Sequence, residues 1–262
     1  MRVGTLRRIA RNVADIGAAA EFYTLALGFA AVTGIGDDTA LAKLLGCTRV
    51  RGVRMRLGGR QIELTECFPS GAAYPAKTAA NDLLFQHIAI VTQNITESYQ
   101  RALTHGAVAI SAREPQTLPA SSGGVTAWKF RDPDGHPLEL LQFQKTSGIS
   151  GYDHTAIVVA DVEKSMAFYN KLGLSVAARS LNLGAEQEAL DGLAGAVVDV
   201  VALRGDEAVP HIELLHYRAP ACGAFAAVKP ADIAADRTVF SAAGAGLLRD
   251  PDGHFVLFEA GA

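Results

Sequence analysis

Two histidines and two glutamates in this sequence stand where a polar side chain needs a reason to be. His87 lies in FQHIAIV and His154 in YDHTAIVV, each among apolar residues with strand-like alternation, so each imidazole faces inward or against a helix. Glu139 in PLELLQF and Glu213 in HIELLHY sit between apolar neighbours and, with a strand period of two, point to one side. An ionised carboxylate left in such a place without a partner is strongly unfavourable, and a metal ion or an arginine removes the cost. A lone histidine on an apolar strand is more often a hydrogen-bonded core residue. Two at matching positions, each with its own glutamate, favour metal binding. His211 and His216 flank Glu213, and His211 shares its face as a rival ligand.

The elements that must position these groups repeat along the chain. Three segments, starting at Leu6, Phe85 and Tyr152, share one pattern. A short apolar strand leads to a capping residue (Asp15, Asn94 or Asp161), then to an amphipathic helix with buried aromatics, then to a glycine (Gly28, Gly106 or Gly173) and a second strand. The string RDPDGH occurs twice, at Arg131–His136 and Arg249–His254, each time between apolar runs, and reads as a β-hairpin turn rather than a phosphate or calcium loop. VRMRLGGRQIELTEC and VVDVVALRGDEAVPHIELLHY supply two further strand pairs. The order is a tandem duplication of a two-unit block, with units at 1–68, 84–144, 150–218 and 231–262, so that 1–144 and 150–262 form the two domains. Seams are expected at Phe68 to Leu84, Gln144 to Gly151 and Arg218 to Ala231. The fourth unit has no room for the cap, helix and glycine and is expected to be truncated.

Composition narrows the function. The chain has 262 residues, 49% hydrophobic, with a net charge of −3 and scattered positive residues, which excludes a basic stripe for nucleic acid. Cys47, Cys67 and Cys222 form no Cys-x-x-Cys pair, so neither a disulfide frame nor a thiolate zinc site is expected. The N-terminus is too charged for a signal peptide and no apolar run suits a membrane span, which makes the cytoplasm the expected location.

The βαβββ repeat, the strand starts QHIAIV and DHTAIV, the RDPDGH hairpins and the strand ends IEL, LEL and IEL resemble the vicinal oxygen chelate superfamily, which includes glyoxalase I, extradiol dioxygenases, fosfomycin-resistance enzymes and bleomycin-resistance binders. The resemblance implies an α+β fold of four βαβββ modules, the fourth truncated with its helix missing, forming two half-open mixed-sheet barrels. It places ligand positions on the first strand of each module (Arg8, His87, His154 and Arg237) and on the last (Glu63, Glu139, Glu213 and Leu257, with Glu259 two residues beyond). Modules pairing within blocks would give two defective sets, with Glu63 joining His87 and Glu139. Crosswise pairing, second with third and first with fourth, gives one complete set, His87, Glu139, His154 and Glu213, and one blank set; it is favoured. Arg8 is then expected to pair with Glu63, and Arg237 with Glu259.

The implied cofactor is one divalent ion, Zn, Ni, Mn, Co or Fe(II), binding two adjacent oxygens of a small substrate. Glu139 or Glu213 would move a proton on the neighbouring carbon, as in a glyoxalase-type lyase or isomerase. Arg8, Trp128 and Arg237 are the candidate substrate contacts, and LPASSGGVTAWKF has the character of a loop over a cleft. The alternatives are extradiol cleavage of an aromatic diol and metal-free sequestration of a drug or metabolite. The expected partner is a small molecule, with no nucleic acid and no membrane, for a monomer or homodimer.

Overall fold

A computed structural model describes residues 6–144, 151–205, 211–223 and 227–260. The seam from Gln144 to Gly151, the middle of the seam from Arg218 to Ala231 and the loop before His211 fall largely outside the described residues.

The first module comprises β1 (Leu6–Asn12), α1 (Ile16–Leu25), β2 (Ala30–Ile35), α2 (Thr39–Leu45), β3 (Arg49–Leu57) and β4 (Arg60–Phe68). The second comprises β5 (Gln86–Val91), α3 (Ile95–Thr104), β6 (Val108–Ala109), β7 (Gln116–Thr117), a 3-10 turn at Ala120–Ser122, β8 (Val125–Arg131) and β9 (Pro137–Phe143). The third repeats the plan of the first: β10 (Gly151–Val158), α4 (Val162–Lys171), β11 (Ser175–Leu183), α5 (Ala185–Asp191), β12 (Val197–Arg204) and β13 (His211–Ala219). The fourth is truncated to β14 (Arg237–Ala242), β15 (Gly246–Arg249) and β16 (Phe255–Ala260), without a helix. The capping side chains act as their positions require: Asp15 accepts from Gly17 and Ala18 N–H, Asn94 from Glu97 N–H and Asp161 from Lys164 N–H.

Two mixed sheets result. One runs β15-β16-β14-β1-β4-β3-β2 and the other β11-β12-β13-β10-β5-β9-β8-β6, with β7 beside β8. The sheets therefore join first module to fourth, through antiparallel β1 and β14, and second to third, through antiparallel β5 and β10. Within each module the first and last strands are parallel neighbours, as in β5 with β9 and β10 with β13, which sets an imidazole position beside a carboxylate position.

The two largest apolar clusters follow the other pairing. Ile9, Phe22, Tyr23, Met55 and Leu64 of the first module pack with Ile88, Trp128, Phe130 and Leu138 of the second. Ile157, Tyr169, Val201 and Leu214 of the third pack with Phe240, Val256 and Phe258 of the fourth. Each such fully buried side chain contributes roughly 1.5–3 kcal/mol, so both modes of pairing are strongly held. The RDPDGH turns reinforce the within-block contacts: Tyr23 donates to Asp132 at 3.1 Å, and Tyr169 to Asp250 at 3.1 Å. Cys47, Cys67 and Cys222 are free thiols. Among the described residues no helix is long and apolar enough to cross a membrane.

Candidate metal centre and its cavity

On β5 and β9, Ile88, Leu138 and Leu140 turn to the core, so His87 and Glu139 turn to the opposite face. On β13, Ile212 and Leu214 are core residues, and Glu213, Leu215 and Tyr217 take the other side. The register of β10 against β5 shifts between Tyr152 and His154, a bulge that brings both Asp153 and His154 to the cavity wall. His87, Glu139, His154 and Glu213 thus meet across the β5–β10 seam in a cavity of about 340 Å³.

The distances are short. His87 Nε2 lies 3.0 Å from Glu139 Oε2, and His154 Nε2 lies 3.8 Å from Glu139 Oε2 and 3.5 Å from Glu213 Oε2. His154 Nδ1 lies 3.0 Å from Asp153 Oδ2, and His211 Nε2 lies 3.2 Å from Glu213 Oε1. One ligand atom each from His87, Glu139 and His154 fall within 4.8 Å of one another, as do Asp153, His154 and His211. A donor set of imidazoles and carboxylates at this spacing fits a borderline or hard divalent ion, with Asp153 as the outer carboxylate that orients His154.

Burial and charge divide the four groups. Burial holds His87 below the ordinary histidine range despite Glu139, so its imidazole is neutral. Burial opposes charge on His154 too, but Glu213, Asp153 and Glu139 outweigh it and raise its pKa to about 9. Burial works against ionised Glu213, yet His154 and His211 bring it down to about 2, and Lys129 with His87 and His154 likewise keeps Glu139 low.

Leu118, Ser122, Gly123 and Val125 line the cavity from the segment whose composition suggested a loop over a cleft. Opposite lie Ala178, Arg179, Ser180 and Asn182 of β11. The end of α5 closes the space with Gln187 and Leu190. Lys129 of β8 also lines it, directly across the ladder from Glu139, and its ammonium donates to Asp191 Oδ1 at 2.7 Å. Gln187 Nε2 at 2.7 Å and the Tyr217 hydroxyl at 3.0 Å donate to the other oxygen of Asp191.

Several sequence expectations need correcting in placement. Trp128 is fully buried in the core, stacked on Phe130 at 4.7 Å and met edge-on by Tyr99, so it does not line the cavity. Arg8 and Arg237 lie in the other sheet, on the blank face, and also do not line it. Glu63 is on that face too, because its module pairs with the fourth. Arg8 pairs with Glu63 as expected, donating at 2.8 Å, but it also takes Glu259. Arg237 does not reach Glu259; it donates to Asn12 Oδ1 at 2.6 Å and Thr65 Oγ1 at 3.0 Å. Leu257 sits in the apolar cluster that fills the blank face with Leu41, Leu45, Val50 and Val239. Lys129, Asp153, Gln187 and Asp191 were not anticipated. Asp153 and Lys129 stand beside anticipated residues, but their roles depend on a bulge and a register that local pattern does not specify.

The chain belongs to the Glyoxalase/Bleomycin resistance protein/Dioxygenase superfamily, whose family model matches residues 5–140 and 151–258. Among solved structures it is similar to glyoxalase I from Zea mays, at 17% identity and a TM-score of 0.67, over 98% of this chain and 92% of that one. It is also similar to a Bacillus subtilis protein with a provisional dioxygenase assignment, at 13% identity and a TM-score of 0.55, over 98% of this chain and 85% of that one. At these identities the likeness concerns the fold. Comparison with curated proteins found no match.

Proposed function

We propose that this chain is a metal-dependent lyase or isomerase of glyoxalase type, acting on a small molecule with two adjacent oxygens. One observation carries the reading: His87, Glu139 and His154 present ligand atoms within 4.8 Å of one another in the wall of a cavity of small-molecule size, with Glu213 beside them. His87, Glu139, His154 and Glu213 would hold the ion, which when bound supplies Lewis acidity to the substrate oxygens. Glu139 is locked against His87, whereas Glu213 is the more exposed carboxylate, its side chain 21% accessible. Glu213 would therefore be the carboxylate that leaves the ion, its Oε2 taking a proton from one substrate carbon and returning it to the neighbouring carbon, so the product is an isomer and no redox partner is consumed. His211 on Glu213 Oε1 keeps that carboxylate aimed while it exchanges the proton.

Two other readings have an observation each. Two imidazoles and one carboxylate in His87, His154 and Glu139 also match the ligand count of extradiol dioxygenases. The direct 3.0 Å contact of His87 with Glu139 favours a metal-free binder, since these groups satisfy one another. Metal analysis of the purified protein separates them. About one ion per chain is expected from the four-ligand set His87, Glu139, His154 and Glu213, with loss in His87→Ala and His154→Ala variants. Hemithioacetal turnover then supports the isomerase, and catechol consumption with oxygen uptake the dioxygenase. A protein that takes up no added divalent ion but binds an aromatic compound is a binder.

A further inference from the structure

The two faces of this molecule allow a comparison inside one chain. Helices α2 and α5 are both seven residues long, follow the second strand of their modules and end in a left-handed glycine, Gly46 or Gly192. Position for position, Leu41 and Leu45 of α2 correspond to Gln187 and Asp191 of α5. Counting four residues on from Glu63 and Glu213, Cys67 corresponds to Tyr217. Leu247, opposite Leu257 in the ladder, corresponds to Lys129, opposite Glu139. On the blank face Leu41, Leu45, Cys67 and Leu247 belong to one apolar cluster. At the cavity the same junction holds a buried ion pair, Lys129 with Asp191, braced by Gln187 and Tyr217.

Stability does not account for the difference. A buried ion pair replaced by well-packed apolar residues is often neutral or stabilising, and the blank face shows that leucines close this junction. The charged version must serve the cavity. Asp191 is saturated by Lys129, Gln187 and Tyr217, but an ammonium has three donors and the contact with Asp191 uses one of them.

We propose that Lys129 is a substrate-binding residue that receives an anionic oxygen, that Asp191 is the residue positioning it, and that the substrate is therefore a small vicinal-oxygen acid. This rests on the functional reading above for where the substrate lies. The ammonium receives one carboxylate oxygen, while the other carboxylate oxygen and the adjacent hydroxyl lie toward His87, Glu139, His154 and Glu213. Leu118, Leu141, Phe143 and Val200 take the apolar body.

The test uses the blank face as its template. The double variant Lys129→Leu/Asp191→Leu reproduces the leucine junction and removes both charges together, whereas either single change strands a buried ion. Mandelate and mandelamide, alike in shape and different in charge, are titrated calorimetrically into the Co²⁺-saturated full chain. Wild type is expected to prefer mandelate by ~10-fold or more, the scale of a hydrogen bond to a charged group. The double variant, again saturated with Co²⁺, should lose the preference. A preference that survives the double swap, or wild type that fails to favour mandelate, overturns the proposal. If the double variant does not fold, Lys129→Arg decides: it should retain the preference, and loss of it counts against the assignment. If wild type takes up no Co²⁺, the metal reading fails on its own, and the same pair of ligands is titrated into the metal-free chain to judge the lysine.

Discussion

At the scale of the residue, the centre is a set of acids and bases arranged so that His154 carries the proton when no metal is present. Its pKa, raised from 6.5 to about 9, means that the folded state binds the proton more tightly than the unfolded chain. That contribution is fully present below pH 6.5 and is lost as the pH climbs through about 9. Chelator-treated protein should therefore melt at falling temperatures across that window, by at most about 3 kcal/mol of stability. Thermal scans across the window check this, and His154→Gln should flatten the slope; a slope of the opposite sign would contradict the geometry. Binding of a divalent ion at neutral pH should also release a proton, because the ligand must be neutral imidazole. Calorimetry in buffers of different ionisation enthalpy reads that proton directly. The imidazoles and carboxylates were legible in the sequence because a polar residue in an apolar strand stands out. Asp191 was not, since an aspartate in GAEQEALDG looks like an ordinary surface residue until α5 folds over the cavity.

At the scale of the element, α5 is the part of the third module that closes the cavity against the second. Its end is tied by Ala112 N–H donating to the Ala189 carbonyl at 2.8 Å and by the Ser111 hydroxyl donating to the Leu190 carbonyl at 2.8 Å. Gly192 makes this approach possible: φ is +60°, and a Cβ would stand 2.3 Å from the Ile110 carbonyl oxygen. Gly192→Val should cost at least about 1–3 kcal/mol from backbone conformation alone and loosen the roof of the cavity. Denaturant melts measure the first effect, and faster amide exchange at Ala112 the second; unchanged values for both would show that the approach is not tight. The long helices were readable from cap, aromatic and glycine, as at Asp161, Phe168 and Gly173. The seven-residue helices were not, because two turns are too few to show a period. Their contrast, Leu41 and Leu45 against Gln187 and Asp191, nevertheless lay in the sequence once the helices were located.

At the scale of the whole molecule, the hydrogen-bonded ladders connect modules across the duplication and the two largest apolar clusters connect them within it. The repeat was plain in the chain, but the first strands of the modules share one pattern and none of them marks its neighbour, so the sequence left the pairing open. The crosswise pairing is the one the sheets adopt, and it leaves neither half complete: β1 needs β14, and β5 needs β10. Segments 6–144 and 151–260, produced separately, should each fail to give a cooperative melt, and should recover one when mixed. Two independently cooperative halves would refute this.

The short fourth module has a consequence of its own. What has been dispensed with there is the helix and its companion strand, the pieces at the periphery; what persists is β14, lodged in the middle of its sheet between β1 and β16. Further erosion from the C-terminal side would bare β1, whose ribbon of unpaired peptide groups would recruit the same ribbon on another copy. Clumping, rather than lost chemistry, would be the first sign of trimming that reaches β14.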